Sequence, residues 1–291
     1  MNKFLYERII LEVIIINARS DLAVELNSRV SDTSGIICET EKNSIITVTR
    51  IKVINEQGEK SLGKPKGNYV NIDIPDLLYH GGDYEELEKI IIKEMRNFSF
   101  PENNVLVAGL GNRNITPDAL GPAVADKILA TRHLSPYLRR QTGLTGLKDV
   151  SVIQPGVLGQ TGVETLEILK GVISSCNAEG LIVIDAFAAA EPKRLGTTIQ
   201  LSDSGISPGS GVGNDRKEIS QKTVGIPVIA VGVPTCLDAA LFGNGQKRET
   251  PMIVTPREID LLIDRAADTL SLSLNCFLQP FTDRSLLLSI V

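Results

Sequence analysis

Val105-Leu106-Val107-Ala108-Gly109-Leu110-Gly111-Asn112-Arg113-Asn114-Ile115-Thr116-Pro117-Asp118-Ala119-Leu120-Gly121-Pro122 and Leu181-Ile182-Val183-Ile184-Asp185-Ala186-Phe187-Ala188-Ala189-Ala190 follow one plan. In each, an apolar run of strand length breaks into small residues and then delivers a single carboxylate. Runs without polar alternation are those covered on both faces, so the pair reads as two buried strands of an α/β sheet. Such sheets meet their ligands beyond the carboxyl ends of the strands. Asp118 and Asp185 are therefore expected where a ligand would sit.

Outward from these stretches, strand, small-residue loop and helix repeat. Helices are predicted from about 119 or 121 to 133, with Pro122 in the first turn, and over 163–174. Strands are predicted over 151–154, 197–201 (edge or antiparallel) and 226–233, the last nearly continuous Ile and Val. Thr255-Pro256-Arg257-Glu258 reads as a capping box opening a helix to about 277. Upstream, 44–54 alternates until Asn55-Glu56-Gln57-Gly58 turns the chain, and 69–74 forms a second strand. Asp83, with Glu86 three residues on, should cap a helix running to about 98. The expected fold is α/β, a mainly parallel sheet flanked by helices with a small N-terminal β layer. Residues 22–80 would be the β-rich front and 83–291 the α/β core of one domain (22–291), after a candidate leader, 1–21.

Composition narrows the function. Of 291 residues, 42% are hydrophobic and 22% charged, as in ordinary soluble globules. A formal charge of -5, with no basic patch beyond short runs such as Arg139-Arg140, argues against a nucleic-acid partner. The apolar run 9–16 is interrupted by Glu12, too short to span a membrane, and lacks a small-x-small cleavage site. No membrane partner is expected. Cys38, Cys176, Cys236 and Cys276 show no C-x-x-C spacing and are expected as reduced, mostly buried cytoplasmic thiols. His80 and His133 are the only histidines and lie far apart, so neither a metal cluster nor any cofactor is expected.

Several motifs mislead. Gly58-Glu59-Lys60-Ser61-Leu62-Gly63-Lys64-Pro65 nearly spells a phosphate loop, but Pro65 replaces the magnesium-binding hydroxyl and the context reads as a hairpin. Gly109-Leu110-Gly111 leads to Asn114 where a dinucleotide fingerprint needs glycine. Asp203-Ser204-Gly205 has the tripeptide of pepsin-like enzymes, yet occurs once and in an α/β context, so it reads as a turn. Ser207-Pro208-Gly209-Ser210-Gly211-Val212-Gly213-Asn214 is either a flexible connector or a loop whose backbone approaches a ligand. Asp118 alone could be a helix N-cap, and Asp185 alone a strand-end carboxylate held by amides. Together, beside glycine-rich loops, they suggest a shared site in which one pKa rises, one carboxylate activates water and the other protonates a leaving group.

The runs 109–122, 131–134, 155–165 and 184–186 resemble the spore germination protease family, the endopeptidases of germinating spore-forming bacteria. The resemblance is strongest over 198–220, and continues through 225–235 and 254–260. It implies an aspartic-type endopeptidase, related in fold to hydrogenase-maturation proteases, that degrades small acid-soluble spore proteins in the spore core. It also implies a homotetramer made as a self-processing zymogen. Asp118 and Asp185 match the family's catalytic pair. Arg19-Ser20-Asp21-Leu22-Ala23-Val24-Glu25 resembles its processing site, with cleavage between Asp21 and Leu22. Gly109, Gly111, Asn112, Thr116, Gly209, Ser210, Gly211 and Gly213 are the expected substrate contacts. The chain departs from the family between Ala240 and Met252, where relatives carry a longer segment. Two alternatives stay open: a metal-dependent maturation-type peptidase with Asp118 and Asp185 as ligands, and a catalytically impaired peptide-binding relative.

Overall fold

A computed structural model describes residues 19–43, 45–74, 84–101, 103–142, 144–213, 216–242 and 252–280. Its strands are β1 (Ile36–Lys42), β2 (Thr47–Val53), β3 (Gly67–Asp73), β4 (Val105–Gly109), β5 (Val150–Ile153), β6 (Gly180–Ala189), β7 (Thr198–Ser202), β8 (Val228–Asp238) and β9 (Ile253–Val254). Its helices are α1 (Ala23–Asn27), α2 (Glu56–Leu62), α3 (Tyr84–Arg96), α4 (Leu120–Ala125), α5 (Pro136–Gln141), α6 (Leu158–Thr161), α7 (Thr165–Cys176), α8 (Gln221–Val224) and α9 (Ile259–Leu278).

All the strands join one sheet, ordered β1-β2-β3-β7-β8-β6-β4-β5, with β9 paired to the end of β8. β5, β4, β6 and β8 run parallel. From β8 outward, β7, β3, β2 and β1 are antiparallel neighbours. The fold is α/β as expected, but the sheet is mixed: its parallel part is one half. The front strands extend the same sheet edge to edge instead of forming a separate layer. Short links such as the one between β1 and β2 can only join antiparallel neighbours.

The continuous apolar runs are explained by cover on both faces. Ile182 and Ile184 of β6 and Ile229, Val231 and Val233 of β8 pack under α3, α4 and α9. Leu181 and Val183, with Val228 and Ala230, face α7 through Leu166, Leu169 and Ile173. α9 brings Leu262, Ile263, Ala266, Leu270, Leu274 and Leu278 into the main core, and from Thr269 to Asn275 every residue is buried, so its cover is not confined to one stripe. No helix among the described residues is long and apolar enough to cross a membrane.

Tertiary contacts overrode several local expectations. The helix expected to reach 133 stops at Ala125 because Asn275 of α9 captures the chain. The Leu129 amide donates to Asn275 Oδ1 at 2.9 Å, and Asn275 Nδ2 donates to the Lys127 carbonyl at 2.9 Å. The capping box at 255–258 is not made: β9 ends at Val254, and α9 begins only at Ile259 with no side-chain cap. Asn55 does not turn a hairpin but caps α2, accepting from the Gly58 amide at 2.9 Å, so the phosphate-loop look-alike is a helix ending at left-handed Gly63. None of the four cysteines is in a disulfide, and Cys38 is exposed, not buried. Residues 1–18 of the candidate leader, and with them His80, Asp83 and Asn214, lie outside the described residues.

One buried ion pair ties the front of the sheet to α3. Arg50 of β2 donates to both Glu94 oxygens, at 2.9 and 2.6 Å, and Glu94 is 1% exposed. Removing the guanidinium leaves a buried carboxylate without its partner. Arg50→Met is expected to lower unfolding free energy by about 3 kcal/mol in a urea titration, and pairing it with Glu94→Met should recover much of that loss.

Candidate active site

Two close backbone approaches set the site. A Cβ on Gly109 would collide with the Gly121 carbonyl, and one on Gly121 with the carbonyls of Leu110 and Ile184. Only glycines let α4 start directly against the ends of β4 and β6. The intervening loop closes in a 3₁₀ turn, Thr116–Asp118, and is tied to β8 by Thr235 Oγ1, which donates to the Pro117 carbonyl at 2.6 Å. Asp118 is not the cap of α4. Its Oδ2 instead accepts from the Asn112 amide at 2.8 Å, while Asn112 Oδ1 accepts from Gln160 Nε2 at 2.8 Å.

Asp185 stands on β6 just past its pairing with β4, 6% exposed, its Oδ1 accepting from the Ala186 amide at 3.0 Å. Burial raises its pKa well above the usual aspartate value, and the nearby Asp118 and Asp21 carboxylates add to the rise. Burial also pushes Asp118 up, to about 6, against the Asn112 amide that favours its charged form. Both aspartates line one cavity of about 220 Å³, with Gly111, Gly209, Thr235 and Cys236 on its walls. Such a pair has what proton transfer to and from water requires: unequal environments and a shared space.

A third carboxylate, Asp21, reaches the same cavity. Its Oδ2 accepts from the Ala188 amide at 2.9 Å and its Oδ1 from Ser210 Oγ at 2.7 Å, while its own amide donates to the Ala188 carbonyl at 2.9 Å. A Cβ on Gly211 would collide with the Asp21 carboxylate, and one on Gly213 with the Arg19 guanidinium. The glycine-rich loop is thus no free connector: it closes over the chain around Asp21. A smaller cavity of about 140 Å³ behind Asp21 holds half-buried Lys64. Downstream, Leu22 is fully buried against Phe187, Ala189, Leu237 and Leu241. Glu25 is also fully buried, accepting from the Ala190 and Glu191 amides at 2.7 and 2.9 Å, with Arg194 Nε 3.8 Å away.

Of the expected contact residues, Gly111 and Gly209 line the aspartate cavity, Asn112 positions Asp118, and Ser210, Gly211 and Gly213 meet the 19–21 segment. Gly109 serves packing instead, and Thr116 faces a separate depression beside Arg113 and Asp126. Sequence reasoning missed Gln200, which is 4% exposed and bonded to the backbone on both sides of Leu22, and the amides of Ala188, Ala190 and Glu191. A glutamine amid the apolar alternation of 198–202 was the available signal for the first; backbone amides leave none. Asp203, expected to bond local backbone in a turn, instead accepts from the amide and the side chain of Asn68 on β3. Among the described residues, no group of three His, Cys, Asp or Glu side chains is placed to hold a metal ion.

A raised carboxylate pKa has a definite sign in stability. Between the ordinary value of 3.8 and about 6, the unfolded chain gives up its Asp118 proton while the folded chain keeps it. Stability therefore falls as pH rises through that window and stays lower above it. Asp118→Asn is expected to flatten this part of the profile and, near neutral pH, to stabilise the fold by about 1–2 kcal/mol, a figure reduced for partial exposure. Urea titrations at a series of pH values measure it.

The chain is similar to known proteins along most of its length. A sequence model described as "Germination protease" matches residues 15–245. The germination protease of Caldanaerobacter subterraneus subsp. tengcongensis is 41% identical over 313 residues, covering 92% of this chain and 96% of that protein. That of Clostridium acetobutylicum is 36% identical, covering 92% and 97%. The first alignment, 313 columns against 291 residues, is longer than this chain, so that relative carries residues absent here. A [NiFe] hydrogenase maturation protease, HycI from Thermococcus kodakarensis, aligns over 66% of this chain and 98% of its own at 18% identity with a TM-score of 0.38, too low to carry any argument here. With its matched region spanning the loop of Asp118, the strand of Asp185 and the glycine-rich loop, the chain belongs to the germination protease family.

Proposed function

We propose that the chain is an aspartic-type endopeptidase that first cuts itself between Asp21 and Leu22 and then degrades small acid-soluble spore proteins in the germinating spore core. The observation that carries this reading is the meeting of Asp118, Asp185 and Asp21 in one cavity. The homotetramer implied by the family resemblance is part of the same proposal.

The unequal environments suggest the division of labour. Asp118, pushed up to about 6 but stabilised as a carboxylate by the Asn112 amide, is largely ionised near neutral pH and suits the base that takes a proton from water. Asp185, more deeply buried and beside two other carboxylates, keeps its proton and suits the acid that gives it to the leaving nitrogen. Acid, apolar residue and alanine, here Asp21, Leu22 and Ala23, each have a place, so a substrate with that order could follow the same path. The segment absent near 240 would then be dispensable for cutting, which separates this reading from the impaired relative.

Mass spectrometry of the purified full chain tests the proposal. The wild type should convert to a form beginning at Leu22, whereas Asp118→Asn and Asp185→Asn should be slower by about a thousandfold. The rate should fall as pH drops below about 6, where the base becomes protonated. Trimming of either variant at the wild-type rate would end the aspartate-pair reading. Loss of trimming to a chelator, restored by added zinc, would replace it with the metal-dependent one.

A further inference from the structure

The side chain of Gln200 is bonded to the chain on both sides of Leu22. Its Nε2 donates to the Asp21 carbonyl at 3.0 Å and its Oε1 accepts from the Ala23 amide at 2.6 Å. Asn71 Nδ2 donates to the same Oε1 at 3.1 Å. These partners fix which end of the amide is which, since the reverse orientation would set oxygen against oxygen and N–H against N–H. Gln200 is 4% exposed and Asn71 fully buried, so water does not weaken the arrangement.

The sheet places this amide opposite a catalytic aspartate. Asn71 pairs with Gln200, Gln200 with Gly232, and Gly232 with Asp185. Residues directly opposite one another project from the same face, so the four make one row across β3, β7, β8 and β6. Gln200 and Asp185 start two strand spacings apart, about 10 Å, room for a peptide backbone and a water between them. Gly232 lies between them without a side chain, and the Phe187 ring covers it as a floor under Leu22.

We propose that Gln200 is a catalytic residue, the donor that stabilises negative charge on the carbonyl oxygen of the bond being cut, and that it also sets the peptide's register by holding the next amide but one. This rests on the reading that Asp21–Leu22 is the scissile bond. In the step, the water oxygen bonds to the Asp21 carbonyl carbon, Asp118 takes the water proton, and the carbonyl π pair moves onto the oxygen facing Gln200. That pair then returns as the C–N bond breaks, and the proton of Asp185 goes to the Leu22 nitrogen. A preorganised donor in a buried site acts where the charge develops and needs no rearrangement.

The test compares self-cleavage of full chains carrying Gln200→Met and Gln200→Asn, the second keeping the amide but drawing it back by one methylene. Both should cut about a hundredfold more slowly than the wild type. Hydrogen exchange in an Asp118→Asn background checks docking. On Gln200→Met the Ala23 amide should exchange faster, while the Leu26 amide, bonded to the Leu22 carbonyl at 3.2 Å, stays protected. Slow cutting with a docked segment is the expected result. Cutting at the wild-type rate in both variants overturns the role while leaving the aspartate pair standing if Asp118→Asn is inactive. Loss of protection at Leu26 as well overturns it in favour of simple docking. A wild-type chain that never cuts at this bond overturns the aspartate reading, and the catalytic role of Gln200 with it.

Discussion

Everything at the site hangs on β6 being buried along both faces. Its first residues are held between α7 on one side and the α4 and α9 layer on the other, so its course leaves little freedom where it emerges. There it carries Asp185, and within a few residues the amides of Ala188, Ala190 and Glu191 that receive Asp21 and Glu25. One rigid strand thus supplies an ionisable group and the groups that dock a peptide. Preorganisation of this kind comes from packing remote from the ligand.

The neighbouring loop is placed by a different physical means. Gly109 and Gly121 let two backbones come closer than any side chain allows, which brings Asp118 beside Asp185 without a bond between them. Both carboxylates then lose water, and Asp185 also feels the charge of Asp118. Their pKa values rise by unequal amounts because Asp118 keeps more solvent, while Asp185 is nearly enclosed and faces two other carboxylates. The chemical asymmetry of two identical side chains follows from where the glycines and the strand end put them.

The segment from Asp21 to Glu25 is held by four separate means: a carboxylate niche, an apolar pocket for Leu22, the Gln200 clamp and a second set of amides for Glu25. Burial raises the pKa of Glu25 even though two amides favour its charged form. Here the chain buries Glu25 and Leu22 and bonds half-buried Asp21 at both carboxylate oxygens, so polar groups as well as packing hold the segment in place.

The apolar runs of β4, β6 and β8 were legible in the sequence because cover on both faces demands uninterrupted Val, Ile and Leu, and the same runs pointed to Asp118 and Asp185 at their ends. Family membership was legible too, since long motif runs do not depend on knowing the fold. The mixed direction of the sheet was not, because strand polarity is a relation between segments far apart in the chain. Local signals also lost where a distant group competed for the backbone, as Asn275 did for the helix after Ala125. The docking amides at and just beyond the end of β6 were invisible for a simpler reason: every residue but proline has an N–H, and only tertiary structure decides which ones are left facing a ligand.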